Sequence, residues 1–310
     1  MTTLSVIISA YNEASNLPTL RKRLLEALEP LDVALEIVLV DDHSSDQTPQ
    51  LIDQWAAEDG RVTSIRLSRN CGSHAAYSAG LRNCRGDLAV ILAADLQDPP
   101  ELIPRLISES AAGFDMVWAR RRARQDIDGK GGISSSIANW IFEKTLPNWP
   151  KGGVDFFLVN RRVVDAYKSI PEKNTSFVAV LLWMGFNQTV IDYEKESRLS
   201  GVSKWTLARK IRLFVDCMVA FSDFPVRMAS YLGLAFSLLG FIYAFAVILW
   251  RIAGQPVTGW ASTIVVVLVL GGVQLLVLGI LGEYLWRTFD EARRRPAYII
   301  EKMNAAKDVH

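Results

Sequence analysis

Cysteine and histidine are both scarce in this chain, at three each in 310 residues. Cys71, Cys84 and Cys217 show neither paired metal-ligand spacing nor a disulfide framework. That pattern fits a reducing compartment and leaves them as ordinary buried or part-buried residues. His43 and His74 fall in expected loops without zinc spacing, and no serine stands in a nucleophile-elbow context, so a hydrolase triad has little support. A Gly-rich loop ending in Lys-Ser or Lys-Thr is absent, which removes an ATPase reading. Charge of one sign is lacking too: the formal net charge is +1, with no long basic stripe, so no nucleic-acid partner is expected. The N-terminus is charged and patterned, and no signal peptide is expected there.

Apolar sequence is abundant, at 50% of residues, and unevenly placed. From Met228 to Trp250 run 23 residues without a charge, and from Ile252 to Gly282 another 31, broken early by Gly254, Gln255 and Pro256. At about 1.5 Å per residue, either run can cross a hydrocarbon layer of about 30 Å. Trp250, Trp260, Tyr284 and Trp286 lie near their ends, as interfacial aromatics do, which favours transmembrane helices over buried core helices. Arg209, Lys210, Arg212 and Arg227 precede the first run and Arg287, Arg293, Arg294 and Arg295 follow the second, whereas only Arg251 lies between them. The positive-inside rule then predicts both termini, and the main domain, on the cytoplasmic side.

The first half of the chain alternates strand and helix patterns. Strands are predicted at Leu4–Ser9, Glu36–Val40, Val62–Leu67, Asp87–Ala93 and Phe114–Ala119, and helices at Asn16–Leu31, Gln50–Glu58, Ala75–Asn83 and from Pro99-Pro100-Glu101 to about Ala111. Strands of this apolar density imply a parallel sheet covered on both faces. In such sheets ligands sit beyond the carboxyl ends of the strands, where this chain places Tyr11-Asn12-Glu13, Asp41-Asp42 and Asp95-Leu96-Gln97-Asp98. Adjacent carboxylates facing other carboxylates are costly unless a ligand or cation joins them, although Asp46, beside Thr48 and Pro49, reads equally well as a helix cap. Hard oxygen ligands such as Asp95 and Gln97 suit Mg²⁺ or Mn²⁺ bridging a diphosphate.

Beyond Ala119 comes a basic, glycine-ended stretch, Arg120 to Gly132, expected to be mobile when unliganded. Apolar stripes at Ile133, Ile137, Trp140 and Ile141, and again between Lys204 and Phe221, fit amphipathic helices at a membrane surface, with a core-facing placement open for the first.

Six segments, in order along most of the chain, carry a specific resemblance: SVIISAYNE (5–13), IVLVDDHSSDQT (37–48), LSRNCGSHAAYSAGL (67–81), GDLAVILAADLQDPPE (86–101), RLSGVSKW (198–205) and FSDFPVR (221–227). The chain resembles the family 2 glycosyltransferases of the polyprenyl-phosphate group, which includes dolichyl-phosphate mannose synthases and bactoprenol glucosyltransferases. The resemblance implies an α/β domain of the GT-A, Rossmann-like type with interface helices and two C-terminal transmembrane helices, in a bacterial cytoplasmic membrane. It implies that Ser9, Tyr11, Glu13 and the Asp41-Asp42 pair line the nucleotide pocket, with Asp42 on the base. Asp95 and Gln97 would hold Mg²⁺ or Mn²⁺ and the diphosphate, with Asp98 beside them but not required as a base. Arg120, Arg122, Arg198, Ser203 and Lys204 would hold the donor diphosphate and acceptor phosphate. The expected partners are a nucleotide sugar, UDP-glucose first, together with polyprenyl (undecaprenyl) phosphate and membrane lipids; a homo-oligomer is compatible with the sequence.

The expected boundaries are 1–132 for the nucleotide-sugar core, 133–227 for the rest of the catalytic domain, 228–286 for the spans and 287–310 for a cytoplasmic tail. Three positions depart from the family pattern: Ala93 where the first Asp of Asp-Ala-Asp is usual, Ser9 where Pro is frequent and His43 where Gly is common. Ala93 leaves open a catalytically silent member that binds nucleotide or lipid phosphate. A processive polysaccharide synthase would share the first domain, but this chain lacks a Gln-x-x-Arg-Trp motif and the additional spans of such enzymes.

Overall fold

The structure, a computed structural model, describes residues 2–121, 156–171, 176–193, 224–253 and 259–307. The chain divides into two compact units, Met1–Phe214 with Pro296–His310, and Val215–Arg295.

The first unit is built on alternating elements: β1 (Thr3–Ala10), α1 (Leu17–Leu28), β2 (Ala34–Asp41), α2 (Thr48–Glu58), β3 (Val62–Leu67), α3 (Ser73–Asn83), β4 (Leu88–Ala93), a 3₁₀ turn at Pro100–Leu102 leading into α4 (Ile103–Ala111), and β5 (Met116–Arg121). Then follow β6 (Phe156–Asn160), α5 (Arg161–Ser169), α6 (Phe177–Trp183) and β7 (Gln188–Tyr193). The period-3.6 spacing of Leu17, Leu20, Leu24 and Leu28 puts one face of α1 on the sheet, where all four are buried. Fully burying such a leucine contributes about 1.5–3 kcal/mol, which is why short helices of modest propensity hold here.

Among the described residues eight strands form one sheet in the order β7-β5-β6-β4-β1-β2-β3-β8. Strands β4, β1, β2 and β3 are parallel, as the sequence pattern predicts. The sheet as a whole is mixed, because β6 runs antiparallel to both β4 and β5. Strand β5 is therefore parallel to β4, and β7, which pairs parallel with β5, shares that direction. The carboxyl ends of β1, β2, β4, β5 and β7 thus lie along one edge.

The eighth strand, β8 (Ile300–Asn304), comes from the far end of the chain and pairs antiparallel with β3. Sequence patterning left this segment within a tail. Its five residues are mostly exposed, so they carry no apolar alternation by which to recognise a strand.

The second unit contains α7 (Phe224–Ile252) and α8 (Trp260–Ala292), helices of 29 and 33 residues. Leu234, Phe241 and Leu275 are at least 70% exposed on them. Helices this apolar with so little of their surface covered are long and apolar enough to cross a membrane. The expected interface helices lie outside the described residues, as does Cys217; Cys84 is buried and Cys71 part-buried.

Candidate active site at the carboxyl edge of the sheet

Strand order reverses between β1 and β4: β2 and β3 extend to one side of β1, β4 to the other. A crevice at such a switch point is the ordinary ligand site of an open α/β sheet. Three strand-end loops meet there, and each contains one non-glycine residue at positive φ: Asn12 (54°) after β1, His43 (59°) after β2 and Leu96 (57°) after β4. An aliphatic residue at such a φ is costly, and backbone strain of this kind collects at functional sites. The φ of His43 also explains why glycine suits that position.

The first two loops are joined by side chains acting on backbone. The amide of Asn12 donates to Ser44 Oγ (2.9 Å), that of Ser45 to Asn12 Oδ1 (2.8 Å) and that of Glu13 to Thr48 Oγ1 (2.8 Å). Asp46, one residue before the N-cap Gln47, accepts from the Thr48 amide at the start of α2 (2.9 Å) and from the Ala14 amide (3.2 Å). Burial pushes its carboxyl up, but the Thr48 hydroxyl and these amides outweigh that and hold it below the usual range. Asp46 thus supports the start of α2 from one residue outside the N-cap and ties it to the loop after β1.

The adjacent carboxylates Asp41 and Asp42 face different partners. Asp41, at 1% exposure, accepts from Arg66 NH1 (3.0 Å) and from the Ser44 amide (2.9 Å). Asp42, at 3%, accepts from the amides of Cys71 (2.7 Å) and Gly72 (2.8 Å) at the start of α3. Burial raises the pKa of Asp42, while those two amides pull it back and Asp41 pushes it further up. Each of its oxygens retains a lone-pair direction beyond the amide it accepts from.

After β4, Asp95 Oδ1 accepts from the amide of Gln97 (3.2 Å) and Leu96 is fully buried, so the loop turns about Leu96 with the part-buried Asp95 and Gln97 on either side. Asp98, at 1% exposure, accepts from the hydroxyl of Tyr193 on β7. Ser9, Tyr11 and Glu13 are part-buried at the β1 end, with Glu13 Oε2 accepting from Asn16 Nδ2 (2.6 Å). Arg120 on β5 makes a two-pronged ion pair with Asp192 on β7 (2.6 and 3.0 Å), which raises its pKa further.

The carboxyl edge therefore gathers Ser9, Tyr11, Glu13, Asp41, Asp42, Asp95, Gln97, Asp98 and Arg120, while Arg122, Arg198, Ser203 and Lys204 lie outside the described residues. No group of three or more His, Cys, Asp or Glu side chains able to hold a metal occurs among the described residues. That donor set fits a divalent ion only of the kind held by one or two protein oxygens plus substrate phosphates. Sequence reasoning missed Asp192, Tyr193 and Arg66; their partners lie 72, 95 and 25 residues away, beyond any local signal.

Similarity to known proteins agrees with this arrangement. The chain is 36% identical to the SfII prophage-derived bactoprenol glucosyl transferase of Shigella flexneri, over 96% of this chain and 97% of that protein. It is 37% identical to the undecaprenyl-phosphate 4-deoxy-4-formamido-L-arabinose transferase of Pseudomonas fluorescens, over 97% of this chain and 89% of that one. The crystal structure of mannosyl-3-phosphoglycerate synthase from Rubrobacter xylanophilus shares the fold, with a TM-score of 0.52 at 21% identity over 69% of this chain and 71% of that chain. Residues 5–168 match the description "Glycosyl transferase family 2". Because that match takes in all three strand-end loops and more than half of the residues, the chain belongs to glycosyl transferase family 2.

Proposed function

We propose that this glycosyltransferase moves a hexose from a nucleoside diphosphate, UDP-glucose first among donors, to polyprenyl phosphate at the cytoplasmic face of a membrane. The observation that carries the reading is similarity over 96–97% of the chain to proteins named for bactoprenol and undecaprenyl-phosphate transfer. The chain also carries two helices long and apolar enough to cross a membrane.

In this reading Asp42 accepts a base N–H, with Ser9, Tyr11 and Glu13 around the nucleotide. When bound, Mg²⁺ or Mn²⁺ offsets charge on the departing diphosphate. Asp95 and Gln97 are the hard oxygen donors for it, and the buried Asp98 fixes their loop through Tyr193. Arg120, which must share or leave Asp192, acts on phosphate oxygens together with Arg122, Arg198, Ser203 and Lys204. The acceptor phosphate oxygen is already anionic near neutral pH. It forms a bond to the anomeric carbon as the bond to the diphosphate breaks, with inversion and without a general base. Positioning and charge compensation supply the acceleration.

The pairing of β3 with β8 supports a same-side topology. Two crossings separate these strands in sequence, and an even number returns the chain to the side it left. Arginines at the outer flanks favour the cytoplasm for that side.

The test is transfer by the purified full chain in detergent, with undecaprenyl phosphate, Mg²⁺ or Mn²⁺ and each radiolabelled nucleotide sugar in turn. Lipid-linked product from UDP-glucose is expected. Product from GDP-mannose alone overturns the uridine assignment, and nucleotide binding without product from any donor favours the silent reading that Ala93 left open.

A further inference from the structure

Strand β8 does more than cover the edge of β3. Its register runs Arg66 opposite Lys302 and Leu67 opposite Ile300, so Glu301 is the extra residue of a β-bulge. Bulges bend a strand and re-aim a side chain, and they concentrate near active sites. The re-aimed Glu301 carboxylate lies 3.2 Å from Arg66 Nε and 3.7 Å from His43 Nδ1.

Arg66 reaches in the opposite direction to the buried Asp41 (3.0 Å) and to the Ser44 carbonyl (3.5 Å). Asp41 in turn accepts from the Ser44 amide, and Ser44 Oγ accepts from the Asn12 amide. His43 stays near the network through a hydrogen bond between its Nδ1 and the Leu67 carbonyl (3.1 Å). Glu301 is therefore linked, residue by residue, to both strand-end loops that flank Tyr11, Glu13 and Asp42. A guanidinium shared between two carboxylates is held on both sides; without Glu301, Arg66 keeps Asp41 and the Ser44 carbonyl but loses the anchor on its Nε, so both contacts are held less firmly.

We infer that Glu301, supplied from beyond both long apolar helices, is a positioning residue for the nucleotide: through Arg66 and His43 it holds the loops after β1 and β2 in their binding geometry. This rests on the nucleotide reading of that edge. Docking of β8 itself does not depend on Glu301, since Lys302 Nζ pairs with Asp53 (2.7 Å), the Ala306 amide donates to Thr63 Oγ1 (3.0 Å) and the Lys307 amide donates to the Gly60 carbonyl (2.9 Å). Loss of the carboxylate can thus be separated from loss of the strand.

The experiment compares Glu301→Gln, Glu301→Asp and Lys302→Ala with the parent, as full chains in detergent, by calorimetric titration with UDP and by donor KM and kcat. Glu301→Gln is expected to weaken UDP binding and raise donor KM about fivefold with kcat little changed, the scale of a modest coupling between sites. Glu301→Asp should recover part of that loss, and Lys302→Ala, which removes the side-chain pair with Asp53 but keeps the Glu301–Arg66 pair and the backbone pairing of β8, should bind UDP as the parent does. Parental affinity in Glu301→Gln, or an equal loss in Lys302→Ala, overturns the positioning role while leaving the nucleotide site intact. A parent that binds no UDP fails the nucleotide reading, and the inference falls with it.

Discussion

Tyr193, the last residue of β7, donates its hydroxyl hydrogen to the buried carboxylate of Asp98, 95 residues earlier in the chain. The bond ties the loop after β4 to the far side of the sheet, and it gives Asp98 a role in holding Asp95 and Gln97. Tyr193→Phe keeps the ring and leaves a buried acceptor short of one donor. A loss of about 1–3 kcal/mol is expected, read as a fall of about 2–12 °C in melting temperature together with slower transfer. An unchanged melting temperature would mean that the hydroxyl does not support the loop.

Asp95→Asn removes the carboxylate charge that the proposed metal–diphosphate site relies on, from a part-buried turn and without changing its volume. Transfer should fall at least about a hundredfold, the scale of losing charge stabilisation at a breaking bond, with melting temperature unaltered. Full activity in this variant would sink the metal–diphosphate assignment. Ala93 is part-buried at the strand end, in register with Ser9, and Ala93→Asp should be tolerated there.

For Asp42 the pH dependence has two opposed signs. Burial, the largest cause, holds its pKa above the ordinary aspartate value. The native state therefore binds this proton more tightly than the unfolded chain does. Its contribution to stability is greatest below the unfolded pKa and declines as pH rises through the raised native one. In the proposed nucleotide site, binding runs the other way, because the ionised carboxylate is the stronger acceptor for a base N–H. UDP affinity should weaken as pH falls through the raised pKa. In Asp42→Asn it should be weaker than in the parent and flat across the same range.

Gly80 lies on α3 where the helix meets the sheet, and a Cβ there would stand 2.2 Å from Ile7 Cγ2 on β1. Alanine has no rotamer with which to avoid that overlap, so either Ile7 or the helix must shift. Overpacking of this kind costs about 1–3 kcal/mol, measurable as a lowered melting temperature.

The membrane topology is tested by labelling. In a background without native cysteines, a membrane-impermeant thiol reagent applied from outside should modify a cysteine introduced at Thr258, between the spans, and should fail to reach one at Ser108, an exposed position of α4. The reverse pattern would invert the orientation.

The strand–helix alternation through Ala119 was legible because strands such as Leu88–Ala93 are apolar runs and helices such as α1 repeat leucine at period 3.6. The acidic strand ends were legible for the same reason: once the strands are placed, Asp42 and Asp95 must follow them. What could not be read from the residues was how the two neighbouring carboxylates are partnered within the protein. Asp41 and Asp42 look alike in sequence, and only the approach of Arg66 to one and of the Cys71–Gly72 backbone to the other separates them. Strand β8 escaped for a different reason. An exposed edge strand such as IEKMN buries too little apolar area to leave a pattern, and its charges, Glu301 and Lys302, are the residues that make its contacts.

The late position of β8 also sets an order on synthesis. Arg66 leaves the ribosome 235 residues before Glu301, so at about 5–20 residues per second the outer edge of β3 stays open on the order of ten to fifty seconds. Throughout that interval it offers unpaired amides and carbonyls to any passing strand. Both long apolar helices must be made before the sheet can be closed, so a chain that stalls or is cut between them keeps the first helix but retains an adhesive edge.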